Sequence, residues 1–464
     1  MPNAIAYLAL AIWPLVIVAM YRRWPVERAF IWSLLGAYLF LPPAPAVFDL
    51  PLMPPLGKES LPSLVTLAVC HRVHGRRGPL MPQTWVGWAL VVIFILVPVA
   101  TVLNNADPVI WGRIGIKGLG LKDIVALTLL QAILVIPFLM ARQLLASETG
   151  QRELVTALCL GGMIYSIPML IEVRLSPQLN LWIYGYFQHS FEQMMRGGGF
   201  RPIVFLYHGL WVAFFAMTSA MCALALSRGG PSEHRLKYLG SGLYLLVVLV
   251  LCKSLGSLIY GILLAPMMLF LPRRMQLAVA MTISAAALAY PVLKGAGLIP
   301  VDWMLQQAAG IDPDRAASLE FRLNNEDLLM ERASEKPWFG WGSWGRNHIL
   351  DPISGAIQTV TDGRWIIVIG VYGWVGFLAE FGLIFYGVFL VFRETLRAPG
   401  TAMTRWLGPL ALLLSINALD MIPNATLTPI TWLLAGALVG YGEELRGVRR
   451  KAVGMVPLGW RSVM

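Results

Sequence analysis

The chain has 464 residues, of which 57% are apolar and only 13% are charged, and its mean hydropathy is +0.67. Soluble domains carry about 25% charged residues, so this composition excludes a soluble enzyme with one anchor and indicates a protein with many membrane spans. The formal net charge of +11 comes from basic residues scattered over many short turns, so they do not form the patch that nucleic-acid binding needs.

Apolar runs follow one another along almost the whole chain. A helix needs about 20 apolar residues to cross the hydrocarbon, which predicts an all-α bundle of about 12 to 13 spans. Both counts stay open because the run that begins beside Pro62 is short. The predicted runs are residues 4–20, 29–47, 61–71, 84–103, 123–141, 154–172, 203–226, 238–252, 255–271, 276–296, 365–392, 406–420 and 426–442.

The distribution of Lys and Arg predicts the orientation. More than half of the 36 basic residues lie on alternate short connections and on the C-terminal tail, which the positive-inside rule places in the cytoplasm. The long connections 104–122, 173–202 and 297–364 then lie outside the cytoplasm. The predicted organisation is ten spans in 1–296, a large extracytoplasmic loop in 297–364, the last spans in 365–442 and a basic tail in 443–464.

The large loop is predicted to contain one amphipathic helix. Asp312 is a good N-cap with Pro313 at the first helical position, and Pro337 ends the helix about six turns later. Arg322 on this helix could pair with Glu326 one turn on, so a surface ion pair is an alternative to a functional role. Apolar side chains recur on one face, at Ala316, Leu319, Leu323, Met330 and Ala333.

Glycines alternate with tryptophans behind this helix, in Pro337-Trp-Phe-Gly-Trp-Gly-Ser-Trp-Gly-Arg346. Glycine permits tight turns, so the rings of Trp341 and Trp344 are expected to stay exposed to a sugar or a lipid. An aromatic belt at the membrane surface is the alternative, and it suits Trp338 best.

The order of these elements resembles that of the O-antigen ligases and O-antigen polymerases, a superfamily of bacterial envelope glycosyltransferases. The similar features are a loop helix with a leading arginine and the Pro-x-x-Gly-x-Gly turn at Pro337 to Gly342. A third is the polar Asp362, which stands 14 positions before the last glycine of Gly373-Trp-Val-Gly376.

This resemblance implies a multi-pass enzyme of the bacterial inner membrane, with a periplasmic large loop and a cytoplasmic C-terminus. It implies a polyprenyl-diphosphate-linked glycan as donor, lipid A core or another glycan as acceptor, and no metal or cofactor. The arginines of the family correspond to Arg201 and Arg322. A family histidine falls on Asp362, which leaves the proton acceptor open among Asp362, Arg364 and His348.

The chemistry itself also favours these residues. Glycosyl transfer from a diphosphate requires an aligned hydroxyl, charge stabilisation on the leaving group and a base. Arginine holds phosphate oxygens in pairs, whereas no His or Cys pair has the spacing of metal ligands. The predicted catalytic residues are Arg201, Arg322 and Asp362. The predicted substrate-binding residues are Arg364, Arg332, Arg346, Lys253, Trp341, Trp344 and His348.

Several alternatives remain at this level. Arg201 could simply anchor a span, Asp362 with Gly363 could form an ordinary turn, and His208 is expected to pack against a neighbour. A flippase or exporter of a lipid-linked saccharide would also use many spans and cations, but with charges near the midplane and repeated broken helices. A noncatalytic envelope scaffold is a third class. The sugar, the acceptor and the choice between ligation and polymerisation stay open.

Overall fold

The structure, a computed structural model, describes residues 1–75, 78–196, 198–311, 313–397 and 403–454. The helices in these ranges are α1 Ala4–Arg23, α2 Val26–Phe40, α3 Ser60–His74, α4 Trp85–Leu103, α5 Leu121–Leu144, α6 Glu148–Leu175, α7 Leu179–Tyr184, α8 Gly209–Gly229, α9 Arg235–Leu251, α10 Leu255–Phe270, α11 Arg273–Gly295, α12 Val301–Ile311, α13 Pro313–Ser334, α14 Arg364–Arg397, α15 Leu407–Asp420 and α16 Pro429–Gly454. Two small antiparallel hairpins pair β1 Val109–Trp111 with β2 Ile114–Ile116 and β3 Met195–Arg196 with β4 Gly199–Phe200.

Eight helices of the described ranges are long and apolar enough to cross a membrane. They are α1, α4, α5, α6, α8, α9 with the short turn before it, α11 and α14. The shorter helices α10 and α15 are also apolar. The prediction of an all-α, multi-pass bundle is confirmed at this level, and each predicted apolar run falls on a helix.

Two predicted run boundaries are wrong. Helix α2 ends at Phe40 instead of continuing to residue 47, because Pro42 and Pro43 follow directly and proline cannot continue a helix. Helix α8 begins at Gly209 instead of residue 203. Residues 201–206 are buried but not helical, and this difference shapes the candidate site described below.

Helix α8 lies at the centre of the bundle. Its most apolar window is 83% buried, more than that of any other candidate span among the described residues. Glycines on its neighbours allow close packing, because a Cβ at Gly162 of α6 would lie 2.2 Å from Ser219 and one at Gly242 of α9 would lie 2.6 Å from Leu224. Small residues commonly permit such approach between membrane helices.

One end of the bundle, which we call the loop end, gathers the connections 41–59, 104–120, 176–208, 296–363 and 421–428. Side chains tie these connections together. Lys58 donates to the carbonyl of Phe205, and Asn105 donates to the carbonyl of Gly340. At the opposite end, Arg142 pairs with Glu443 at 2.6 Å.

The connection 296–363 contains the predicted amphipathic helix as α13. Its N-cap Asp312 lies outside the described residues, and the helix α12 before it was not predicted. Leu323 and Ala333 are buried as expected for the apolar face. Helix α16 continues through the predicted tail boundary at 442 to Gly454, and residues 455–464 lie outside the described ranges.

Helix α14 folds back on itself at Gly373, where φ is +67°. A straight helix would separate Arg364 from Glu380 by about 24 Å. Instead, two guanidinium nitrogens of Arg364 each lie 2.6 Å from a carboxylate oxygen of Glu380. The first segment of α14 therefore returns along the second, and it carries Arg364 and the preceding Asp362 into the bundle.

Candidate functional site

A buried non-helical segment at 201–206 forms the floor of the candidate site. Its backbone groups are satisfied by side chains, as buried irregular backbone requires. Glu172, at the end of α6, accepts hydrogen bonds from the amides of Ile203 and Val204 at 2.8 and 2.7 Å, and also from Leu179 at 2.9 Å. Tyr165 accepts from the Phe205 amide, Gln188 donates to the carbonyls of Val204 and Leu206, and Lys58 donates to that of Phe205.

Arg201 begins this segment and is only 6% exposed. Its guanidinium donates to the carbonyl of Lys253 at 2.9 Å. The side chain lies over Gly209, where a Cβ would come within 2.3 Å of the Arg201 Cδ. Burial is the main cause that lowers the pKa of Arg201, to about 10, and the charges of Arg196 and Arg322 lower it further.

The predicted cation Lys253 lies beside Arg201, in the turn between α9 and α10. Its backbone φ is +52°, and its Nζ donates to the carbonyl of Arg196 at 2.9 Å. A Cβ at Gly199 would lie 2.4 Å from this Nζ. The turn therefore packs against the hairpin β3–β4, so Arg196, Arg201 and Lys253 occupy one corner of the loop end.

Arg322 approaches this corner from α13. Its Nε lies 3.3 Å from Oδ2 of Asp362, and each side chain is about one third exposed, at 33% and 35%. The Arg322 guanidinium also interacts electrostatically with Arg201 and with Asp420 at the end of α15. The structure thus brings together the three predicted catalytic residues.

The alternative in which Arg322 pairs with Glu326 is not what the structure shows. Glu326 instead accepts from Lys294 of α11 at 2.7 Å and from the Tyr290 hydroxyl at 3.1 Å. Lys294 also donates to the carbonyl of Leu323. This buried ion pair fixes how α13 lies on the bundle, and it leaves Arg322 to face Asp362.

His208, which is expected from the sequence to pack against a neighbour, lies next to this cluster and does pack against another ring. It is the N-cap of α8, where its Nδ1 accepts from the Leu210 amide at 2.9 Å, and its ring meets His189 edge to face at 4.5 Å. Burial is the main cause that lowers the pKa of His208 to about 3, followed by the charges of His189, Arg201, Arg322 and Arg196. Because the predicted apolar run begins at residue 203, the sequence places His208 inside a span and gives no sign of this capping position.

The glycine and tryptophan turn has a structural role. Its amides at Trp341 and Gly342 donate to the carbonyls of Gly370 and Val371, each at 2.9 Å, while the amides of Trp374 and Val375 donate to the carbonyls of Pro337 and Trp338. The turn therefore satisfies backbone groups that the break in α14 leaves without helical partners. Gly340 and Gly342, at φ +66° and +79°, allow this approach.

The expected exposure of Trp341 is wrong. Its ring is 8% exposed, and the Arg332 guanidinium carbon lies 3.4 Å from the ring centroid. A stacked cation explains this burial, and Arg332 also pairs with Glu335 at 2.7 Å. Trp344 and Trp338 do remain exposed, at 56% and 67%.

Three other predicted binding residues have protein partners. Arg346 is 1% exposed and donates to the carbonyls of Trp341, Lys117 and Asp107. Arg364 is paired with Glu380, as described above. His348 contacts Thr359 through its Nδ1 at 3.1 Å. The structure therefore places Arg346 and Arg332 in the scaffold of the loop, apart from the cluster around Arg201.

Within the described residues, no group of three or more His, Cys, Asp or Glu is placed to hold a metal ion. No protein-family model matches the chain, and no curated protein matches it. The resemblance to the O-antigen ligases and polymerases therefore rests on the motif residues of the sequence alone.

Proposed function

We propose that this protein is a glycosyltransferase that moves a glycan from a polyprenyl-diphosphate carrier to an acceptor hydroxyl. The observation that carries the proposal is that Arg322, which contacts the carboxylate of Asp362, also lies within electrostatic range of Arg201, although these residues are far apart in the chain. Two neighbouring guanidinium groups repel each other unless an anion lies between them. A diphosphate supplies the charge and the paired oxygens that such groups bind best.

The proposed chemistry follows from this arrangement. When the bond between the anomeric carbon and the diphosphate breaks, negative charge grows on the leaving oxygen, and Arg201 and Arg322 stabilise that charge. Asp362 and Asp420 balance the arginines before the donor binds. Because the guanidinium groups take the role of a divalent cation, we expect transfer to continue in the presence of a chelator.

The proposal extends to location and topology. The apolar runs favour about 12 to 13 spans in the bacterial inner membrane. The basic short connections favour an orientation with the loop end in the periplasm and the C-terminus in the cytoplasm. Membrane lipid then surrounds the bundle, and the exposed Trp338 and Trp344 lie near the headgroups. Lipid A core and a second glycan chain are the two proposed acceptors, corresponding to ligation and polymerisation.

The test uses the purified protein in lipid nanodiscs and the lipid-linked glycan extracted from host membranes. We expect release of polyprenyl diphosphate together with attachment of glycan to lipid A core or to a second donor molecule. Arg322→Ala and Arg201→Ala should reduce release at least 100-fold, since removing one transition-state donor costs about that factor. Arg174→Ala serves as the matched control, because Arg174 is an exposed arginine in the last turn of α6, at the loop end.

A flippase would give a different result. Wild-type protein would then move the lipid-linked glycan across the bilayer without releasing polyprenyl diphosphate. In cells, Arg322→Ala would leave the donor on the inner leaflet for a flippase but on the outer leaflet for a transferase.

A further inference from the structure

A cavity of about 400 Å³ lies at the end of the bundle opposite to the loop end, where α8, α10, α11 and α15 meet. Three arginines from different parts of the chain line this cavity. They are Arg228 in the last turn of α8, Arg273 at the start of α11 and Arg405 just before α15. The other residues that line it are uncharged. Three like charges therefore surround one space.

Hydrogen bonds to the backbone hold these arginines in place. Arg228 donates to two carbonyls at the end of α10, at 2.6 and 3.2 Å. Arg273 donates to the carbonyl of Met403 at 3.1 Å, and Arg405 donates to that of Gly229 at 3.2 Å. Each guanidinium uses only its Nη1 for these contacts with the described residues. Because a guanidinium has five N–H donors, the charges are fixed while Nε and Nη2 stay available to a ligand.

The lack of a carboxylate partner distinguishes these arginines from others at the same end. Several others form ion pairs, at 2.6 to 2.9 Å: Arg142 with Glu443, Arg393 with Glu394, and Arg28 with Glu153. Among the described residues, no carboxylate pairs with any arginine of the cavity. The positive-inside rule explains why basic residues are numerous at this end, but it does not require three of them to share a cavity. An anion between them would relieve their mutual repulsion.

The surroundings of the cavity favour a lipid as the source of this anion. Phe270, in the last turn of α10, is 75% exposed, and Met275, in the first turn of α11, is 54% exposed. These side chains flank Arg273 in the chain, and such exposed apolar groups on membrane helices are expected to contact lipid. Basic pockets between membrane helices are known to bind the headgroups of anionic lipids.

We propose that this cavity binds the phosphodiester group of an anionic glycerophospholipid, such as phosphatidylglycerol, from the membrane leaflet at this end. The phosphate oxygens accept hydrogen bonds from the free guanidinium donors, and the acyl chains lie along the exposed sides of α10 and α11. The bound phosphate bridges elements that are distant in the chain, so the lipid stabilises the bundle. This site is separate from Arg201 and Arg322, and its role does not depend on the proposed glycosyl transfer.

The experiment measures thermal unfolding of the whole purified chain in an uncharged detergent while dihexanoyl phosphatidylglycerol is added. We expect a saturable rise in the unfolding temperature. Dihexanoyl phosphatidylcholine and glycerol 3-phosphate should each bind at least about fivefold more weakly, because the first carries a compensating cation and the second lacks acyl chains. Equal binding of glycerol 3-phosphate would overturn the lipid as the ligand, and equal binding of phosphatidylcholine would overturn the recognition of net charge.

Variants then test the cavity itself. Arg273→Gln and Arg405→Gln should each weaken phosphatidylglycerol binding about tenfold, since a charge-assisted contact is lost. Arg273→Lys, which keeps the charge but not the paired donors, should have an intermediate affinity. Arg235→Gln is the matched control, because Arg235 is an exposed arginine at the start of α9, at the same end, that does not line the cavity.

The unfolding temperature without lipid separates binding from folding. It should be nearly unchanged in Arg273→Gln and Arg405→Gln, because both arginine side chains are exposed. If one of these variants fails to fold, the other decides the result, since the two arginines belong to different elements. Wild-type affinity for phosphatidylglycerol in a folded variant, or an equal loss of affinity in Arg235→Gln, would overturn the site.

Discussion

The guanidinium of Arg322 meets the carboxylate of Asp362 with 3.3 Å between Nε and Oδ2, although 40 positions separate the two residues. Because both side chains are about one third exposed, the pair contributes less than about 1 kcal/mol to the free energy of unfolding. The pair joins α13 to the segment that leads into α14. Loss of Arg322 is therefore expected to affect diphosphate binding much more than stability.

Arg322→Ala is expected to lower the free energy of unfolding by less than about 1 kcal/mol and to weaken undecaprenyl diphosphate binding at least tenfold, since a charge-assisted contact is lost. Arg322→Lys should retain part of the affinity but lose the paired geometry. Thermal unfolding and equilibrium binding in nanodiscs measure the two effects. A variant that binds as the wild type does would contradict the clamp, and Arg174→Ala is the control.

Glu172→Gln should destabilise the protein by about 1–3 kcal/mol, because the buried carboxylate accepts three backbone amides and an amide side chain brings donors against them. The segment that begins at Arg201 should loosen, so diphosphate binding should weaken as well. Thermal unfolding gives the first effect. Glu331→Gln, on the exposed face of α13, should change neither, and an unaltered unfolding temperature in Glu172→Gln would refute this anchoring role.

Gly373→Ala and Gly340→Ala should each destabilise the junction between the turn and α14. Both positions have positive φ, and an added Cβ would lie 2.3 Å from the Trp338 backbone or 2.5 Å from that of Val371. Gly345→Ala has a similar φ of +81° but meets nothing within 4 Å, so it should cost only the roughly 1–2 kcal/mol of the left-handed conformation. Limited proteolysis of 335–363 and thermal unfolding should separate the first two variants from this control.

Trp341→Ala should lower stability by about 3–5 kcal/mol, the range for removing a buried aromatic ring, because its ring is covered and stacked on Arg332. Trp344→Ala should change stability by less than about 0.5 kcal/mol, since its ring is 56% exposed. Equal effects in thermal unfolding would show that the structural assignment of Trp341 is incorrect.

The stability of the protein should fall as the pH is lowered from 7 to 5, in part through His208. Its pKa is about 3 in the folded chain and about 6.5 without the fold. Between these values the unfolded chain binds more protons, so lower pH favours unfolding. His208→Asn keeps an N-cap and should reduce this dependence of the unfolding temperature on pH. His71→Asn, which replaces an exposed histidine near the other end of α3, is the control. An unchanged slope in His208→Asn would exclude the contribution.

The helical class and the long loop helix could be predicted because each depends on local information. Apolar runs of sufficient length specify membrane helices, and Pro313 with Pro337 delimits α13. The apolar residues 203–206 predict the start of a span, since such side chains are typical of a membrane helix, but they form buried irregular backbone. Burial alone does not reveal that Glu172, Tyr165 and Gln188 satisfy their backbone.

The candidate site could be predicted in part. Motif positions predict Arg201, Arg322 and Asp362; Arg322 contacts Asp362 and lies within electrostatic range of Arg201. Arg332, Arg346 and Trp341 had the same residue types and the same predicted side of the membrane, but they bind each other and the loop backbone. Composition cannot distinguish a cation that contacts a carbonyl from one that is free to bind an anion, and no pattern predicted that His208 caps α8.

The sequence by itself determined a polytopic helical membrane protein, because the cost of exposing backbone and charge to hydrocarbon leaves few other outcomes for such apolar runs. Only the tertiary structure decided which of the cations at the loop end form one cluster. That choice depends on the return of α14 at Gly373 and on the buried pair of Lys294 with Glu326. Both are contacts between residues distant in the chain, and their geometry is set by packing rather than by local sequence.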